Sequence, residues 1–152
     1  MSENTWKNDI QSLIANTHIA FLSTMGERSP ETSMCPYAVY KGDIVLHLSG
    51  LAKHSKNIQS NQNVGLMICT PETADSSPLA LARIGFTGKI EPVPQAGQTM
   101  YQQAYLKHIS DAESLFSFPD FTLYRIKVDT VHWIGGFGQA RKVPADTWKS
   151  LC

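Results

Sequence analysis

The sequence lacks several features that would assign a class of function directly. Its 152 residues carry 13 lysines and arginines against 13 aspartates and glutamates, so the formal net charge is zero. Nucleic-acid binding generally requires a basic surplus to neutralise phosphates, and this balance argues against that class. No apolar run approaches the roughly 20 residues that cross a bilayer, and the start MSENTWKND lacks the regions of a signal peptide. We therefore expect a cytoplasmic protein without nucleic-acid or membrane partners.

Motifs for metal binding and hydrolysis are also missing. The three cysteines, Cys35, Cys69 and Cys152, contain no CxxC pair and make no disulfide framework. The five histidines show no HExxH spacing, and no GxGxxG turn follows a first strand as in dinucleotide-binding folds. No order of serine, histidine and aspartate suggests a nucleophile and base. The sequence thus indicates no metal site, and it identifies no catalytic residue.

Hydrophobic periodicity predicts a single, mostly β domain over residues 1–152. We expect strands at 19–24, 31–40, 44–48, 64–69, 79–91 and 121–134, and helices at 5–15, 52–60, 94–108 and 111–116. Pro36 predicts a strand edge or a bulge, and Gly85 or Gly88 is expected to bend the fifth strand. Because most strands follow one another as hairpins, the expected fold is a six-stranded antiparallel barrel with peripheral helices.

Residues 44–68, IVLHLSGLAKHSKNIQSNQNVGLMI, contain the most specific pattern. A strand, a polar turn, a short basic helix and a second strand follow one another there. Hydroxyl, cationic and amide side chains gather at the helix start, at Ser49, Lys53, His54 and Asn57. Free backbone N–H groups beside such side chains favour an anion site, most simply for phosphate. The alternative is a solvated helix with ordinary caps.

The segment GGFGQA at 135–140 is the second pattern. Its three glycines permit close approach of the backbone to a flat ligand, and Gln139 could hydrogen-bond the polar edge of a ring. A simple chain reversal after a strand explains the glycines equally well.

Three segments in combination resemble the FMN-binding split-barrel family, the pyridoxamine 5′-phosphate oxidase-like proteins, and within it the heme-utilisation branch. They are FLSTMGERSPETSMCPYAVY, LSGLAKHSKNIQSNQNVGLMI and FTLYRIKVDTVHWIGGFGQA, and the resemblance extends over about residues 5–143. It implies a homodimer with FMN in the subunit interface. The phosphate would bind at Ser49, Lys53 and His54 with Asn57 nearby. The flavin ring would lie on backbone around Ser33, Cys35, Pro36 and Tyr37, and Gln139 would close the pocket from the partner chain.

The resemblance also bears on the reaction. ETSMCPYAVY lacks the arginine and lysine pattern of true pyridoxamine phosphate oxidases, and their C-terminal tryptophan–arginine motif is missing. The heme-handling relatives carry a ligand histidine in a C-terminal extension, whereas no histidine follows His132. We therefore expect an FMN-dependent oxidoreductase acting on an unidentified small molecule. The alternatives are a heme-binding or heme-utilisation protein that uses the same cleft, and a flavin-binding module without turnover.

Overall fold

A curled antiparallel sheet forms the centre of the computed structural model, which describes residues 3–152. Its eight strands are β1 (Ile19–Met25), β2 (Pro30–Pro36), β3 (Ala38–Tyr40), β4 (Asp43–Ser49), β5 (Asn63–Cys69), β6 (Arg83–Pro92), β7 (Phe121–Ile134) and β8 (Ala140–Val143). The α-helices are α1 (Glu3–Asn16), α2 (Lys53–Ser60), α3 (Gln98–His108) and α4 (Ala145–Ser150). Short 3-10 helices occupy Pro78–Ala80, Gln95–Gly97 and Ser110–Ser117.

The strands run in the order β2-β1-β5-β6-β7-β4-β3, and β8 also pairs with β7. The long strand β7 joins the two parts of the sheet. Strand β6 pairs along one edge of β7, whereas β4 pairs with its first six residues and β8 with its last four along the other edge. Every pairing is antiparallel. The expected mostly β split barrel is confirmed, with eight strands in place of six.

Two predicted strands are divided or shortened in the structure. The segment 31–40 breaks around Tyr37, so that β2 pairs with β1 whereas β3 pairs with β4. The break keeps Tyr37 fully buried and lets its backbone N–H donate to the His18 carbonyl at 3.2 Å. The strand expected over 79–91 begins only at Arg83, because Pro78 starts a 3-10 turn. The short elements β8 and α4 were not predicted.

The bend of β6 lies at Gly88. A β-bulge separates Thr87 from Gly88 in the pairing with β7. A Cβ atom at Gly88 would collide with the Lys127 carbonyl and lie 2.9 Å from a methyl of Ile126, whereas nothing lies within 4 Å of one at Gly85. Of the two glycines considered from the sequence, Gly88 is therefore the one that the sheet requires.

The buried apolar side chains form two clusters. The larger fills the concave side of the sheet and includes Leu22, Ile68, Trp133 and Trp148. The smaller lies under α3, where Tyr105 packs among apolar residues of β3, β4 and β7. None of the helices within residues 3–152 combines the length and the apolar character that a membrane crossing requires.

Candidate functional site

A groove of about 460 Å³ opens between β2 and the start of α2. We call it the α2 groove; its lining residues are Thr24, Pro30, Glu31, Thr32, Ser33, Lys53, His54 and Asn57. Strand β2 presents Glu31 and Ser33 on one side because alternate residues of a strand share a face. The structure thus brings together four of the nine residues predicted for the cofactor site: Ser33, Lys53, His54 and Asn57.

Glu31 binds the only lysine or arginine among the described residues that line this groove. Its carboxylate lies 2.6 Å from Lys53 Nζ and also accepts a hydrogen bond of 2.6 Å from Asn57 Nδ2. These contacts, that from Lys53 first, lower the pKa of the Glu31 carboxyl. The sequence reasoning missed Glu31; the two-residue alternation of β2, which aligns it with Ser33, is the signal that could have found it.

Two buried polar atoms of the groove residues lack a partner within the described part of the chain. They are Ser33 Oγ and His54 Nε2. Burial lowers the pKa of His54, which favours its neutral form. Since buried polar groups are normally hydrogen-bonded, these two atoms are the points of the groove at which a ligand or a water molecule could form a hydrogen bond. The backbone N–H groups at the start of helix α2 also receive no side-chain cap from the N-cap residue Ala52.

Ser49, the remaining residue of the predicted anion site, lies outside the lining of the groove. Its hydroxyl donates to the Asp120 carboxylate at 2.8 Å and accepts from the Leu51 backbone N–H at 3.2 Å. The Gly50 N–H donates to the Asp120 carbonyl at 2.6 Å. These bonds fasten the end of β4 to the segment before β7, so Ser49 shapes the turn that leads into α2.

The segment 33–37, which was predicted to support a flavin ring, has two side chains buried in the core, Cys35 and Tyr37. Cys35 is buried, and burial raises the pKa of its thiol to about 12. The Tyr37 hydroxyl donates to the Ile14 carbonyl at 2.9 Å and shares a hydrogen bond of 2.8 Å with the Thr17 hydroxyl. Pro36 is exposed at the end of β2. The side chains of Cys35 and Tyr37 are therefore not available to a ligand, whereas Ser33 lines the α2 groove.

GGFGQA forms the β7–β8 hairpin. The Gly135 N–H donates to the Gln139 carbonyl at 3.0 Å, and the Gln139 N–H donates to the Gly136 carbonyl at 3.2 Å. Gly138 has a φ of +74°, which favours glycine. The chain-reversal interpretation is confirmed. Gln139 is exposed and not among the residues of the α2 groove, and its contribution to a partner's site stays a prediction.

The face of the sheet opposite the larger core cluster carries a cross-strand row that includes three exposed apolar side chains, Phe21, Met34 and Met67. We call this surface the outer face. Residues directly opposite one another across five strands form the row: Met34, Phe21, Met67, Gly85 and His132. Phe21 is 51% exposed and Met34 59%. A depression of about 390 Å³ on this face shares Thr32 of strand β2 with the α2 groove, so the two adjoin at that residue.

Sequence comparison relates the chain to one protein family and one characterised protein. The family model described as CREG, beta-barrel matches residues 11–150. Heme oxygenase HutZ of Vibrio cholerae serotype O1 is 25% identical over 120 residues, which are 77% of this chain and 68% of HutZ.

Structural comparison finds the same fold in solved proteins. The heme binding protein of Mycobacterium smegmatis superposes with a TM-score of 0.88 at 24% identity. The match covers 99% of this chain but only 62% of the mycobacterial protein, so this chain spans less than two thirds of that relative. A structure of HutZ from Vibrio cholerae, described as a heme storage protein, gives a TM-score of 0.72 at 19% identity over 86% of this chain and 95% of HutZ. The resemblance to split-barrel proteins of the heme-utilisation branch is thereby confirmed.

Proposed function

The chain belongs to the CREG beta-barrel family, and on that premise we propose that it binds heme in the α2 groove and on the adjoining outer face. Relatives named for heme support this proposal: the similar HutZ is a heme oxygenase, and the Mycobacterium smegmatis protein is a heme binding protein. The sequence reasoning placed FMN first and heme second. The comparisons support the second choice better.

The observation that carries the proposal is the unpartnered His54 Nε2 in the α2 groove. A heme site generally combines an axial ligand, most often histidine, with apolar cover for the macrocycle and partners for the two propionates. His54 with its lowered pKa supplies a neutral imidazole, which is the form that ligates a metal. Phe21 and Met67 supply apolar surface, and Lys53 supplies a cation. The residues present therefore fit the group.

Each residue would have a separate task in binding. Lys53 would meet a propionate from its solvent side while it keeps its contact with Glu31, and Ser33 would donate to a ligand oxygen from the wall of the groove. Phe21 and Met67 would exclude water from one side of the macrocycle. The heme itself would supply the iron for ligand binding and redox chemistry.

We further propose that a second copy of the chain covers the outer face. Five large apolar residues of β1, β2 and β5 are more than two-fifths exposed: Ile19, Phe21, Met25, Met34 and Met67. An exposed apolar patch of this kind is typical of an interface, and a twofold axis would pair it with itself. The ligand would then lie between the subunits, covered on both sides.

A hemin titration of purified protein tests the proposed function. Hemin should give a saturable Soret band, and Lys53→Ala should weaken binding at least tenfold because a charge-assisted bond is lost. His54→Ala should shift or abolish the band if His54 ligates the iron. Lys56→Ala, an exposed lysine of the same helix outside the groove, is the matched control and should bind as the wild type does. Equal binding by all four folded proteins would place hemin elsewhere, and absence of a Soret band would contradict the proposal.

A further inference from the structure

Glu31 adds a negative charge to the α2 groove, which the sequence pattern at the start of helix α2 does not predict. The two ionised groups of the described lining are Glu31 and Lys53, and they are bound to each other. His54, whose burial disfavours the imidazolium form, adds no fixed positive charge. The groove is therefore close to neutral, whereas a site for a phosphate monoester normally offers a net positive charge.

The contacts of Glu31 also engage two of the side-chain donors that an anion would use, Lys53 and Asn57. One carboxylate oxygen lies against Lys53 Nζ and the other against Asn57 Nδ2, both at 2.6 Å. Asn57 Nδ2 also donates a hydrogen bond of 3.0 Å to the Thr24 hydroxyl. An incoming anion must either displace the carboxylate from Lys53 or lie beside it. The first loses an ion pair, and the second places like charges in contact.

We propose that Glu31 is a specificity-determining residue that makes the groove discriminate against phosphate monoesters. A phosphate monoester near neutral pH carries nearly two negative charges on one small group. A propionate carries a single charge on a flexible arm, so repulsion by Glu31 is smaller and the arm can meet Lys53 from the solvent side. The discrimination acts on the charge of the ligand's anionic group, and it disfavours FMN relative to heme.

This inference rests on the α2 groove being the ligand site of the proposed function, and one set of titrations tests both. FMN and riboflavin share the same ring and differ by the phosphate, so their affinity ratio isolates the effect of charge. We would titrate both flavins by fluorescence quenching, and hemin by its Soret band, into the full chain and its variants. Glu31→Gln removes the charge but keeps an oxygen acceptor for Asn57. Glu27→Gln makes the same change at an exposed residue of the β1–β2 connection outside the groove.

Glu31→Gln should raise the affinity for FMN at least tenfold relative to riboflavin, while hemin affinity changes by about threefold or less. Glu31→Ala should shift the ratio in the same direction, which guards against a specific effect of glutamine. Glu27→Gln should leave all three affinities unchanged. An unchanged ratio of FMN to riboflavin affinity in Glu31→Gln would overturn the role of Glu31, and so would the absence of flavin binding by that variant. If the wild type binds no hemin, the proposed function fails while the flavin ratio still decides the role of Glu31.

Discussion

His47 and Phe116 stack face to face, with ring centroids 3.9 Å apart and planes inclined by 9°. Tyr105 and Phe121 complete the aromatic surround of the imidazole. The stack fixes the 3-10 segment Ser110–Ser117 against β4, and the side chain of His47 is buried with its Nδ1 unpartnered among the described residues. The surroundings thus favour an uncharged ring.

This surround should make folding stability sensitive to acid. Burial lowers the pKa of His47 from 6.5 to about 4. In the unfolded chain, His47 therefore takes up a proton as the pH falls below 6.5, whereas in the folded chain it is protonated only near pH 4. The stability is present above the unfolded pKa and is lost as the pH falls through this window. We expect a loss on the order of 3 kcal/mol.

Urea unfolding of wild type and His47→Phe at pH 7 and pH 4.5 measures this contribution. Phenylalanine keeps the stack but cannot take up a proton, so the variant should lose clearly less stability than the wild type on acidification. His18→Phe, at an exposed histidine outside the outer-face row, is the control and should follow the wild type. Equal acid sensitivity of wild type and His47→Phe would contradict the assignment.

The bulge of β6 predicts opposite outcomes for two glycines. Gly88→Ala places a Cβ atom against the Lys127 carbonyl, and the rigid backbone of β7 cannot move aside. It should destabilise the protein by about 2 kcal/mol or more. Gly85→Ala meets nothing within 4 Å and should change stability by less than about 0.5 kcal/mol. Thermal and urea unfolding compare the two, and similar effects of both substitutions would show that the bulge does not depend on Gly88.

The proposed subunit contact is tested by two methionines. Met67 lies in the apolar row of the outer face and is 43% exposed, whereas Met100 on α3 is 52% exposed and lies off that face. Light scattering should give twice the chain mass of 16.8 kDa for the wild type and for Met100→Glu. Met67→Glu should give a monomer, because it buries an unpaired charge at the interface. A monomeric wild type, or a dimer that survives Met67→Glu, would refute this interface.

Local sequence patterns predicted most of the fold. Alternation along 121–134 gave the bounds of β7, and the polar turn before the basic helix placed α2 within one residue of its start. The sequence did not predict β8 and α4, because each is short and depends on tertiary support. β8 needs the end of β7 as its partner, and α4 is held by buried Trp148, whose Nε1 donates to the Gly42 carbonyl at 2.9 Å.

The candidate site divides in the same way. The sequence by itself determined that Lys53, His54 and Asn57 share one side of a helix start, since helical spacing and the preceding turn are local properties. Only the tertiary structure decided that Ser49 binds Asp120, a residue 71 positions away, and that the Cys35 and Tyr37 side chains lie in the core. It also decided that the Glu31 carboxylate meets Lys53, because the pairing of β2 with β1 and the packing of α2 on both strands bring them together. Contacts between residues distant in sequence depend on strand pairing and core packing, which no local pattern specifies.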